Sequence, residues 1–472
     1  MSSSIFSPLW IQQQAQTLSG KRLLRSEIQL SEIEFEYLLS TAQLTPIPSI
    51  LKSKLTNECH RCYNEDMSKF GTIPCALCGL THLYCRNCIQ MGHITECQPL
   101  YEWTGSEPGW EVNPEPLTWE GKLSSFQQEA AEVAVSAIRN GQAELLLWAV
   151  CGAGKTEMLF PGVAEALMNG KRVCLASPRT DVVRELLPRF REAFAETNVQ
   201  ALYGGSPDKT ADSQLILATT HQLLRFRNAF EVLIIDEVDA FPYHNDLLLH
   251  KVSAIALKSS GSTIYLTATP RKAHIRRIKH NQLPHHFIPC RFHGHPLPVP
   301  KPQYSLFLSK AVQKGLPPQS FFRWLKRRNT PERQLLIFVP TIKFAEKMHV
   351  SIHDLLLESD WIHSNKELES VHSEDPDREK KVLAFRSRQI QIMITTTILE
   401  RGVTFPSVDV AVIDAGHDVF DEAALVQIAG RAGRSSADPK GEVVFFHNGM
   451  TDAMERAIHS IEMMNKRGGF GI

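Results

Sequence analysis

An apolar run that leads into a glycine-rich turn constrains this chain more than any other feature. Leu146 to Val150 predicts a buried strand, and Cys151 to Gly154 predicts a tight turn with outward-pointing backbone amides. Those amides, the positive end of the following helix and the Lys155 ammonium would face one concavity, an arrangement that binds polyphosphates. The Thr156 hydroxyl stands where a Mg²⁺ ion that bridges phosphates would need it. We therefore predict a nucleotide site made of Ala149, Val150, Cys151, Gly152, Ala153, Gly154, Lys155 and Thr156.

A second apolar segment, Phe230 to Ile235, ends in the acidic pair Asp236-Glu237. Acidic groups at the carboxyl end of a parallel strand lie where ligands bind in open α/β sheets. We expect Asp236 to hold Mg²⁺, directly or through water, and Glu237 to orient and activate the water that attacks the γ-phosphate. This pair strengthens the nucleotide-site prediction, because Ala149 replaces the glycine of the strict phosphate-loop pattern.

Two arginines near the end of the sequence complete the candidate catalytic set. Arg431 and Arg434 are three residues apart in the stretch Gln427 to Arg434, so a helix would present both guanidinium groups on one face. Arginines that a second domain contributes stabilise the charge on a transferring phosphoryl group, an effect of roughly 10³–10⁵ in rate. A basic surface helix explains the stretch less well, because two glycines inside a helix are costly without a packing reason.

The order of these motifs, together with Thr267-Ala268-Thr269-Pro270 and Thr395 to Thr404, resembles that of the superfamily-2 helicases. The resemblance covers about residues 117–472. Within that superfamily the chain is similar to the DNA-uptake ATPases of competent Gram-positive bacteria, in which a zinc-type cysteine cluster also precedes the motor.

The resemblance implies roles for single residues. Gln127 would read the adenine edge of ATP, Gln427 would position the attacking water, and Thr267 and Thr269 would couple hydrolysis to movement of nucleic acid. The implied nucleic-acid contacts are Arg179, Gly204, Gly205, Thr219, Thr220 and His221 in the first motor domain and Thr341 and Thr396 in the second. Hydroxyls and glycine amides suit phosphate oxygens and carry no base information, so we expect binding without sequence preference. Each threonine taken alone is better explained as a helix cap.

Net charge gives no sign of nucleic acid, because 51 basic residues balance 51 acidic ones. A local groove is still compatible with this balance, and the basic stretch Arg271 to His280 is a candidate, with a solvated helix face equally expected. No apolar run reaches the ~18 residues of a spanning helix, and the N-terminus lacks a signal-peptide core. We therefore expect a cytoplasmic protein, attached to the inner face of the cell membrane only through partners.

Seven cysteines within a short segment form a strong metal-binding signal. They are Cys59, Cys62, Cys75, Cys78, Cys85, Cys88 and Cys97. Two C-x-x-C pairs satisfy a closed tetrahedral Zn²⁺ site, and a module this small needs the metal for its folding free energy. Reduced thiolates on a metal suit an intracellular type of ATPase better than disulfides do.

Spacing alone does not decide which pairs bind zinc. Cys59 and Cys62 are compatible with either Cys75 and Cys78 or Cys85 and Cys88. The resemblance favours the second choice, on the stretches 59–62 and 84–88. Cys75 and Cys78 would then be spare, or would join Cys97 and His82 in a second site.

Alternation of apolar strands with helical patterns predicts an α/β fold with two RecA-like parallel-sheet motor domains, preceded by a small zinc-binding module. Alternating prolines between residues 296 and 302 predict an extended interdomain linker. The predicted parts are an N-terminal segment 1–57, the zinc module 58–98, a connector 99–116, the ATP-binding domain 117–292, the linker 293–304 and the C-terminal motor domain 305–472.

These features together favour an ATP-driven translocase on single-stranded DNA that pulls transforming DNA into the cytoplasm. The resemblance implies a membrane DNA channel and a phosphoribosyltransferase-like competence protein as partners. A replication-restart or RNA helicase is the first alternative. A non-catalytic scaffold built on the zinc module is the second, and the intact Lys155, Asp236, Glu237, Arg431 and Arg434 argue against it.

Overall fold

The computed structural model describes residues 6–53, 56–76, 78–359, 361–364, 366–400 and 405–471. It contains a small N-terminal module and two α/β domains, whose sheets have seven and six strands. Every strand pair in these two large sheets is parallel. The predicted fold class is thereby confirmed. Among the described residues, no helix combines the length and the apolar character needed to cross a membrane.

The N-terminal module is built on a three-stranded antiparallel sheet of order β1-β7-β2 and two hairpins. Its elements are α1 (Pro8–Leu18), β1 (Arg22–Leu23), α2 (Glu32–Ser40), β2 (Leu44–Ile47), β3 (Ile50–Lys52), β4 (Asn57–Cys59), β5 (Phe70–Pro74), β6 (Thr81–Cys85) and β7 (Leu100–Trp103). Helix α2 follows the predicted amphipathic pattern, and Ser31 caps it by accepting a hydrogen bond from the Glu34 N–H.

The segment 99–116 is more than a connector. Its strand β7 is the central strand of the module sheet, with Glu102 opposite Arg22 on one side and opposite Thr45 on the other. Leu100 and Trp103 are buried there. The sequence did not indicate this role, because β7 pairs with strands far away along the chain and local patterns do not report such pairing.

The first α/β domain has the strand order β10-β11-β9-β12-β13-β8-β14. Its elements are α3 (Ser125–Asn140), β8 (Glu144–Ala149), α4 (Phe160–Met168), β9 (Val173–Ser177), α5 (Thr180–Ala193), β10 (Val199–Leu202), β11 (Leu215–Thr219), β12 (Phe230–Ile235), α6 (Leu247–Ala256), β13 (Leu257–Thr267), α7 (Lys272–Lys279) and β14 (His285–Ile288). Strand β8 covers most of the predicted strand Leu146 to Val150, and β12 coincides with the apolar segment Phe230 to Ile235. Strands β10 and β14, which the sequence analysis did not identify, are the short edge strands.

The second α/β domain has the strand order β15-β20-β19-β16-β18-β17. Its elements are β15 (Lys301–Tyr304), α8 (Leu308–Gln313), α9 (Gln319–Leu325), β16 (Gln334–Phe338), α10 (Ile342–Glu358), β17 (Leu368–Val371), α11 (Arg378–Arg386), β18 (Ile392–Thr395), β19 (Val408–Ile413), α12 (Glu422–Ala429), β20 (Val443–His447) and α13 (Asp452–Arg467).

The predicted linker 293–304 ends in strand β15. This strand pairs with β20 at the edge of the sheet, with Pro302 opposite Phe445. An edge strand tolerates proline, because one side of it has no neighbour that needs the missing N–H donor. The polyproline pattern therefore describes only the first part of this segment.

A buried charge network fixes the edge of the second domain. The Asp409 carboxylate, on β19, is fully buried and accepts hydrogen bonds from Arg328 Nε at 2.9 Å and from the backbone N–H of Glu442 at 2.8 Å. Replacing Asp409 by alanine leaves the buried Arg328 guanidinium without its counterion, a change that costs about 3–5 kcal/mol in comparable sites. We expect Asp409→Ala to lower the urea midpoint of the second domain clearly, measured by tryptophan fluorescence.

Asp377→Ala is the matched control, because Asp377 forms an exposed ion pair with Lys380. It should leave the midpoint unchanged. Equal midpoints for the two variants would show that the Asp409 network does not stabilise the domain.

Candidate active site

The glycine-rich turn after β8 forms the floor of a cavity of about 790 Å³ between the two α/β domains. Gly152 and Gly154 adopt positive φ values of 81° and 71°, which other residues adopt only with strain. The cavity lining includes Cys151, Gly152, Ala153, Gly154, Lys155, Thr156, Asp236, Glu237, Gln427, Arg431 and Arg434. Residues predicted from three separate parts of the sequence therefore meet at one cavity, whereas Ala149 and Val150 lie buried in and just after the strand that leads to it.

The helix after the turn begins later than predicted. Residues Glu157–Leu159 form a 3₁₀ turn, and α4 starts at Phe160 with Pro161 in its first turn. Proline fits only at the start of a helix, since it lacks the N–H that later positions use. The amides that could face a phosphate therefore belong to the glycine turn and the 3₁₀ turn, and the positive end of α4 lies one turn further on.

Gln127 supports the turn from the side. Its Nε2 donates to the carbonyl oxygens of Ala153 at 2.9 Å and of Gly154 at 3.2 Å. Its Oε1 accepts the N–H of Ser124 at 2.8 Å, as part of a capping box at the start of α3. A Cβ atom on Gly154 would lie 2.3 Å from Gln127 Nε2, so only glycine allows this approach. The structure thus gives Gln127 a positioning role, and its reading of adenine stays a prediction.

The acidic pair follows β12 directly, as the sequence predicted. Removal from water raises the pKa of Asp236 to about 6, although the nearby Lys155 ammonium acts in the opposite direction. The N–H of Glu237 donates to Asp236 Oδ1 at 2.8 Å, with Glu237 at a positive φ of 53°. Two carboxylates that share a desolvated wall with a lysine and a threonine hydroxyl form a donor set that fits Mg²⁺, which prefers oxygen ligands.

Arg431 and Arg434 reach the same cavity from the second domain. Arg431 is 1% exposed, and its Nε donates to the Glu400 carbonyl oxygen at 3.0 Å. Burial lowers the pKa of Arg431, and the Arg434 charge lowers it further. Arg434 is half-buried, and negative charge placed beside two such guanidinium groups offsets their mutual repulsion. The electrostatics therefore fit a polyphosphate.

Gln427 joins the two domains at the cavity floor. Its Oε1 accepts a hydrogen bond from the Cys151 thiol at 3.1 Å, so the glycine turn and α12 are in direct contact. Gln427 Nε2 is buried and makes no hydrogen bond to any described residue. It is a donor available to a water or a phosphate oxygen.

Arg291 was not identified from the sequence. It lies 1% exposed beside Gly152 and donates to the Ala432 carbonyl oxygen at 2.8 Å and to that of Gly433. Burial lowers the pKa of Arg291 to about 10, and the Arg434 charge contributes. Arg291 therefore ties the first domain to the loop that carries both catalytic arginine candidates. No local motif marks it, because its partners are carbonyl oxygens of a distant segment.

Thr267 and Thr269 converge on a buried carboxylate that had no predicted role. Thr267 Oγ1 donates to Asp239 Oδ1 at 2.6 Å, and Thr269 Oγ1 donates to Asp239 Oδ2. Arg271 donates to the Asp239 carbonyl oxygen at 2.9 Å and forms an ion pair with Asp421, the cap of α12, at 2.6 Å. The contacts therefore run from the acidic strand end to the second domain.

The predicted nucleic-acid residues occupy different environments. Gly204 and Gly205 are exposed with open space around them, and Thr341 is exposed as the cap of α10. His221 and Thr396 are half-buried.

Three of the predicted nucleic-acid contacts are buried or already bonded to the other domain. Thr220 is 0% exposed, so its side chain cannot contact DNA in this conformation. Thr219 is buried at the end of β11. The Arg179 guanidinium donates to the Ile398 carbonyl oxygen at 3.1 Å and so lies at the domain interface. These side chains serve packing and interdomain contact, which the sequence motif does not distinguish from DNA contact. Residues 401–404 of the motif Thr395 to Thr404 lie outside the described residues.

The basic stretch Arg271 to His280 lines a second interdomain cavity of about 640 Å³. Its wall includes Lys272, Arg276, Lys279 and His280, together with Arg456 and His459 from α13. These four side chains of the stretch are exposed, so the stretch is a solvated face that also forms one wall of a groove.

Four sulfurs form a cluster in the N-terminal module. Cys59, Cys62, Cys85 and Cys88 are fully buried, and their Sγ atoms all lie within 4.8 Å of one another. Cys59 and Cys88 are 3.8 Å apart, and Cys62 and Cys85 are 3.5 Å apart. Zn–S bonds of about 2.3 Å put the sulfurs of a tetrahedral site about 3.8 Å apart, so the cluster could hold such an ion. The clustered cysteines are the two C-x-x-C pairs that the family resemblance favoured as zinc ligands.

Comparison with known proteins agrees with this architecture. A family model for the competence protein ComFA N-terminal domain matches residues 10–102, one for the type III restriction enzyme res subunit matches 120–272, and one for the helicase conserved C-terminal domain matches 319–436. The Dbp5 helicase of S. cerevisiae, solved with RNA and ADP BeF3, shares the fold with a TM-score of 0.51 at 18% identity over 74% of this chain and 89% of its own. The helicase Lhr of Mycobacterium smegmatis, solved with ssDNA and AMP-PNP, gives 0.51 at 18% identity over 75% of this chain and 51% of its own.

The fold and the cavity define an ATP-hydrolysing enzyme of the superfamily-2 helicase type. The chain is 43% identical to the competence protein ComFA of Bacillus subtilis over 96% of its length and 95% of the relative, and 37% identical to that of Streptococcus pneumoniae over 90% and 94%. It therefore belongs to the ComFA family of competence proteins. A transcription-repair-coupling factor of Staphylococcus haemolyticus is 26% identical, but the match spans only 28% of that protein.

Arg291 offers a test of the interdomain contact. Because Arg291 holds the arginine loop through backbone carbonyl oxygens, Arg291→Met should misplace Arg431 and Arg434 without removing a phosphate ligand. Displacement of a catalytic group by about 1 Å can cost roughly 10²-fold in rate. We expect the kcat of ATP hydrolysis to fall on this scale while the KM for ATP changes little, measured by steady-state phosphate release.

Arg139→Met is the control, because Arg139 is an exposed arginine paired with Glu165 on the outside of the first domain. A rise in the KM of Arg291→Met with unchanged kcat would show that Arg291 serves nucleotide binding and not the arginine loop.

Proposed function

We propose that this protein hydrolyses Mg²⁺-bound ATP to move along single-stranded DNA, and that it draws transforming DNA into the cytoplasm during competence. The observation that carries the proposal is that the glycine turn, the acidic pair and two arginines of the other domain line the same interdomain cavity. Membership of the ComFA family supplies the competence context.

The residues of the cavity would have separate roles in phosphoryl transfer. Lys155 and the amides of the glycine turn bind the phosphates, and Thr156 with Asp236 would hold the Mg²⁺ ion, which neutralises charge between the phosphate oxygens. Glu237 orients and activates the attacking water, with Gln427 as a second donor. Arg431 and Arg434 stabilise the negative charge that develops on the γ-phosphoryl group.

Loss of the γ-phosphate removes an anion that residues of both domains would bind. The like charges of Arg431 and Arg434 then lose their partner, and the open arrangement becomes favoured. The contacts from Asp239 through Arg271 to Asp421 would change in the same step, because they also join the two domains. Alternation of closure and opening moves the two DNA-contacting surfaces relative to each other.

DNA would lie across both domains. The exposed Gly204 and Gly205 in the first domain and Thr341 in the second are the best placed of the predicted contacts. Because the net charge is zero, the affinity must come from such local contacts and not from a general positive field. We also propose the membrane DNA channel and a phosphoribosyltransferase-like competence protein as partners, through which the enzyme works at the inner face of the membrane.

Arg434→Ala tests the motor directly. It should lower the DNA-stimulated kcat by about 10³-fold while ATP still binds, since arginines of this type act on the transition state. Lys155→Ala should lose both ATP binding and hydrolysis. Phosphate release and binding of a fluorescent ATP analogue report the two steps, and Arg139→Ala is the control. Full activity of Lys155→Ala would exclude the cavity as the ATPase site.

The same assay separates the proposed substrate from its rivals. We expect single-stranded DNA to stimulate hydrolysis more than duplex DNA or RNA of equal length, with no dependence on sequence. Stronger stimulation by RNA, or unwinding of long duplexes, would favour an RNA or replication-restart helicase. Absence of hydrolysis with every nucleic acid would favour a scaffold.

We further propose that the sulfurs of Cys59, Cys62, Cys85 and Cys88 hold a structural Zn²⁺ ion. Four thiolates close the coordination sphere, so the ion would supply folding free energy and no catalysis. The module packs on the first domain, where the 3₁₀ turn Arg86–Met91 contacts the 3₁₀ turn Thr220–Arg225, and Gln222 Nε2 lies 3.7 Å from Met91 Sδ. The ion would therefore support the segment that follows β11.

Cys88→Ser tests this role of zinc. We expect it to lower the zinc content of the full-length protein and to make the N-terminal module sensitive to limited proteolysis, because the module cannot fold without the ion. Cys290→Ser, outside the module, should leave both unchanged. Zinc content and proteolysis that are the same in the two variants would contradict the proposal.

A further inference from the structure

The turn that carries Cys75 and Cys78 repeats the backbone geometry of the turn that carries Cys59 and Cys62. In the first turn of the quartet, the Cys59 N–H donates to Asn64 O at 3.0 Å and the Tyr63 N–H donates to Cys59 O at 2.7 Å. In the hairpin turn between β5 and β6, the Cys75 N–H donates to Leu80 O at 2.8 Å and the Gly79 N–H donates to Cys75 O at 2.9 Å.

The two turns also agree at their fifth residue. This residue has a positive φ in each, 57° at Tyr63 and 71° at Gly79. The hydrogen bonds connect the same relative positions in both. The turn that would hold metal in the quartet therefore has a counterpart in the same module, with cysteines that the quartet does not use.

Two further ligands lie beside the hairpin. Tyr84, on β6, forms an isolated antiparallel bridge with Thr95, and the Glu96 N–H donates to Leu83 O at 2.9 Å. Cys97 lies in the turn that follows this bridge, where the Gln98 N–H donates to Thr95 O at 3.2 Å. His82 lies on β6 itself, two residues before Tyr84.

Side-chain distances link the hairpin turn to these two residues. Cys97 Sγ lies 3.6 Å from Cys75 Sγ, and Cys78 Sγ lies 3.0 Å from His82 Nε2. Glu96 Oε2 is 3.7 Å from His82 Nδ1.

We propose that Cys75, Cys78, Cys97 and His82 form a second Zn²⁺ site at the tip of the β5–β6 hairpin, with three thiolates and one imidazole as ligands. None of the four sulfurs of the quartet would be a ligand of this second site. Among the described residues, only the quartet has all its ligand atoms within 4.8 Å of one another. The second set consists of two close pairs, and the ion would draw them together.

The two sites should differ in lability. The quartet is fully buried, whereas Cys78 is exposed and Cys75 and Cys97 are half-buried. A chelator therefore reaches the hairpin site first. Coordination there would fix the hairpin to the strand segment that holds Cys97, and so stiffen the outer part of the module.

Zinc quantification on the full-length protein tests the site. We expect two zinc ions per chain in the wild type, and one in Cys97→Ser, Cys78→Ser and His82→Ala. Cys290→Ser, the matched cysteine control, should keep two. One ion in the wild type that persists in Cys97→Ser would overturn the second site and leave the quartet intact. Loss of zinc only in Cys97→Ser and not in Cys88→Ser would instead contradict the quartet.

Two measurements on the unaltered protein avoid any folding defect of the variants. A colorimetric chelator should release one zinc quickly and the other slowly. In a thiol-alkylation experiment read by mass spectrometry, zinc should protect Cys75, Cys78 and Cys97, and brief chelation should expose these three before the quartet. Fast alkylation of Cys78 in the zinc-loaded protein, or a disulfide between Cys75 and Cys97 with a single zinc, would overturn the inference.

Discussion

The electrostatic repulsion among arginines at the domain interface is the constraint on which the rest of this structure depends. Arg291, Arg431 and Arg434 lie close enough that the charge of Arg434 lowers the pKa of both others. Two of the three are almost fully buried. Carbonyl oxygens of Glu400 and Ala432 partly offset this repulsion. A triphosphate bound in the cavity would add negative charge beside the arginines of both domains, so nucleotide binding would favour domain closure.

Contacts between the two α/β domains would also allow ATP hydrolysis to move one domain relative to the other. Helix α12 contacts the glycine turn through Gln427 and Cys151, and Arg291 of the first domain holds the loop that follows this helix. Asp239 joins Thr267, the last residue of β13, to Arg271, which in turn pairs with Asp421. The contacts of Cys151, Arg291 and Arg271 bridge the two domains, so a change at a bound phosphate would reach the second domain at several places. The N-terminal module adds a support for the segment after β11, where the first domain would meet DNA.

Local chemistry decided how much of this the sequence could predict. Lys155 and Asp236 follow strands in recognisable patterns, and the structure brings them to one cavity with Arg431 and Arg434. The helix predicted for the two arginines was wrong, because α12 ends at Ala429 and both lie in the segment that follows it. Strands β7 and β15 were assigned to a connector and a linker, since their pairing partners are distant. Arg291 was not identified from the sequence, because its hydrogen-bond partners are also distant along the chain.

The predicted DNA contacts show a related limit. Motif position placed Thr220 and Arg179 on the DNA side, but burial and an interdomain hydrogen bond occupy them. In the cysteine module the sequence left open whether Cys75, Cys78, Cys97 and His82 belong together. The fold of the β5–β6 hairpin and of the turn after Thr95, which no spacing rule contains, places Cys97 beside Cys75 and His82 beside Cys78.

Single-molecule energy transfer between the two motor domains tests the central claim most directly. Labels at Glu132 in the first domain and Lys343 in the second, both exposed, report closure without touching the cavity. With single-stranded DNA present, we predict a narrow high-transfer state with a non-hydrolysable ATP analogue and a broader, lower-transfer distribution with ADP. Transfer that does not depend on the nucleotide would contradict the claim that the triphosphate closes the two domains.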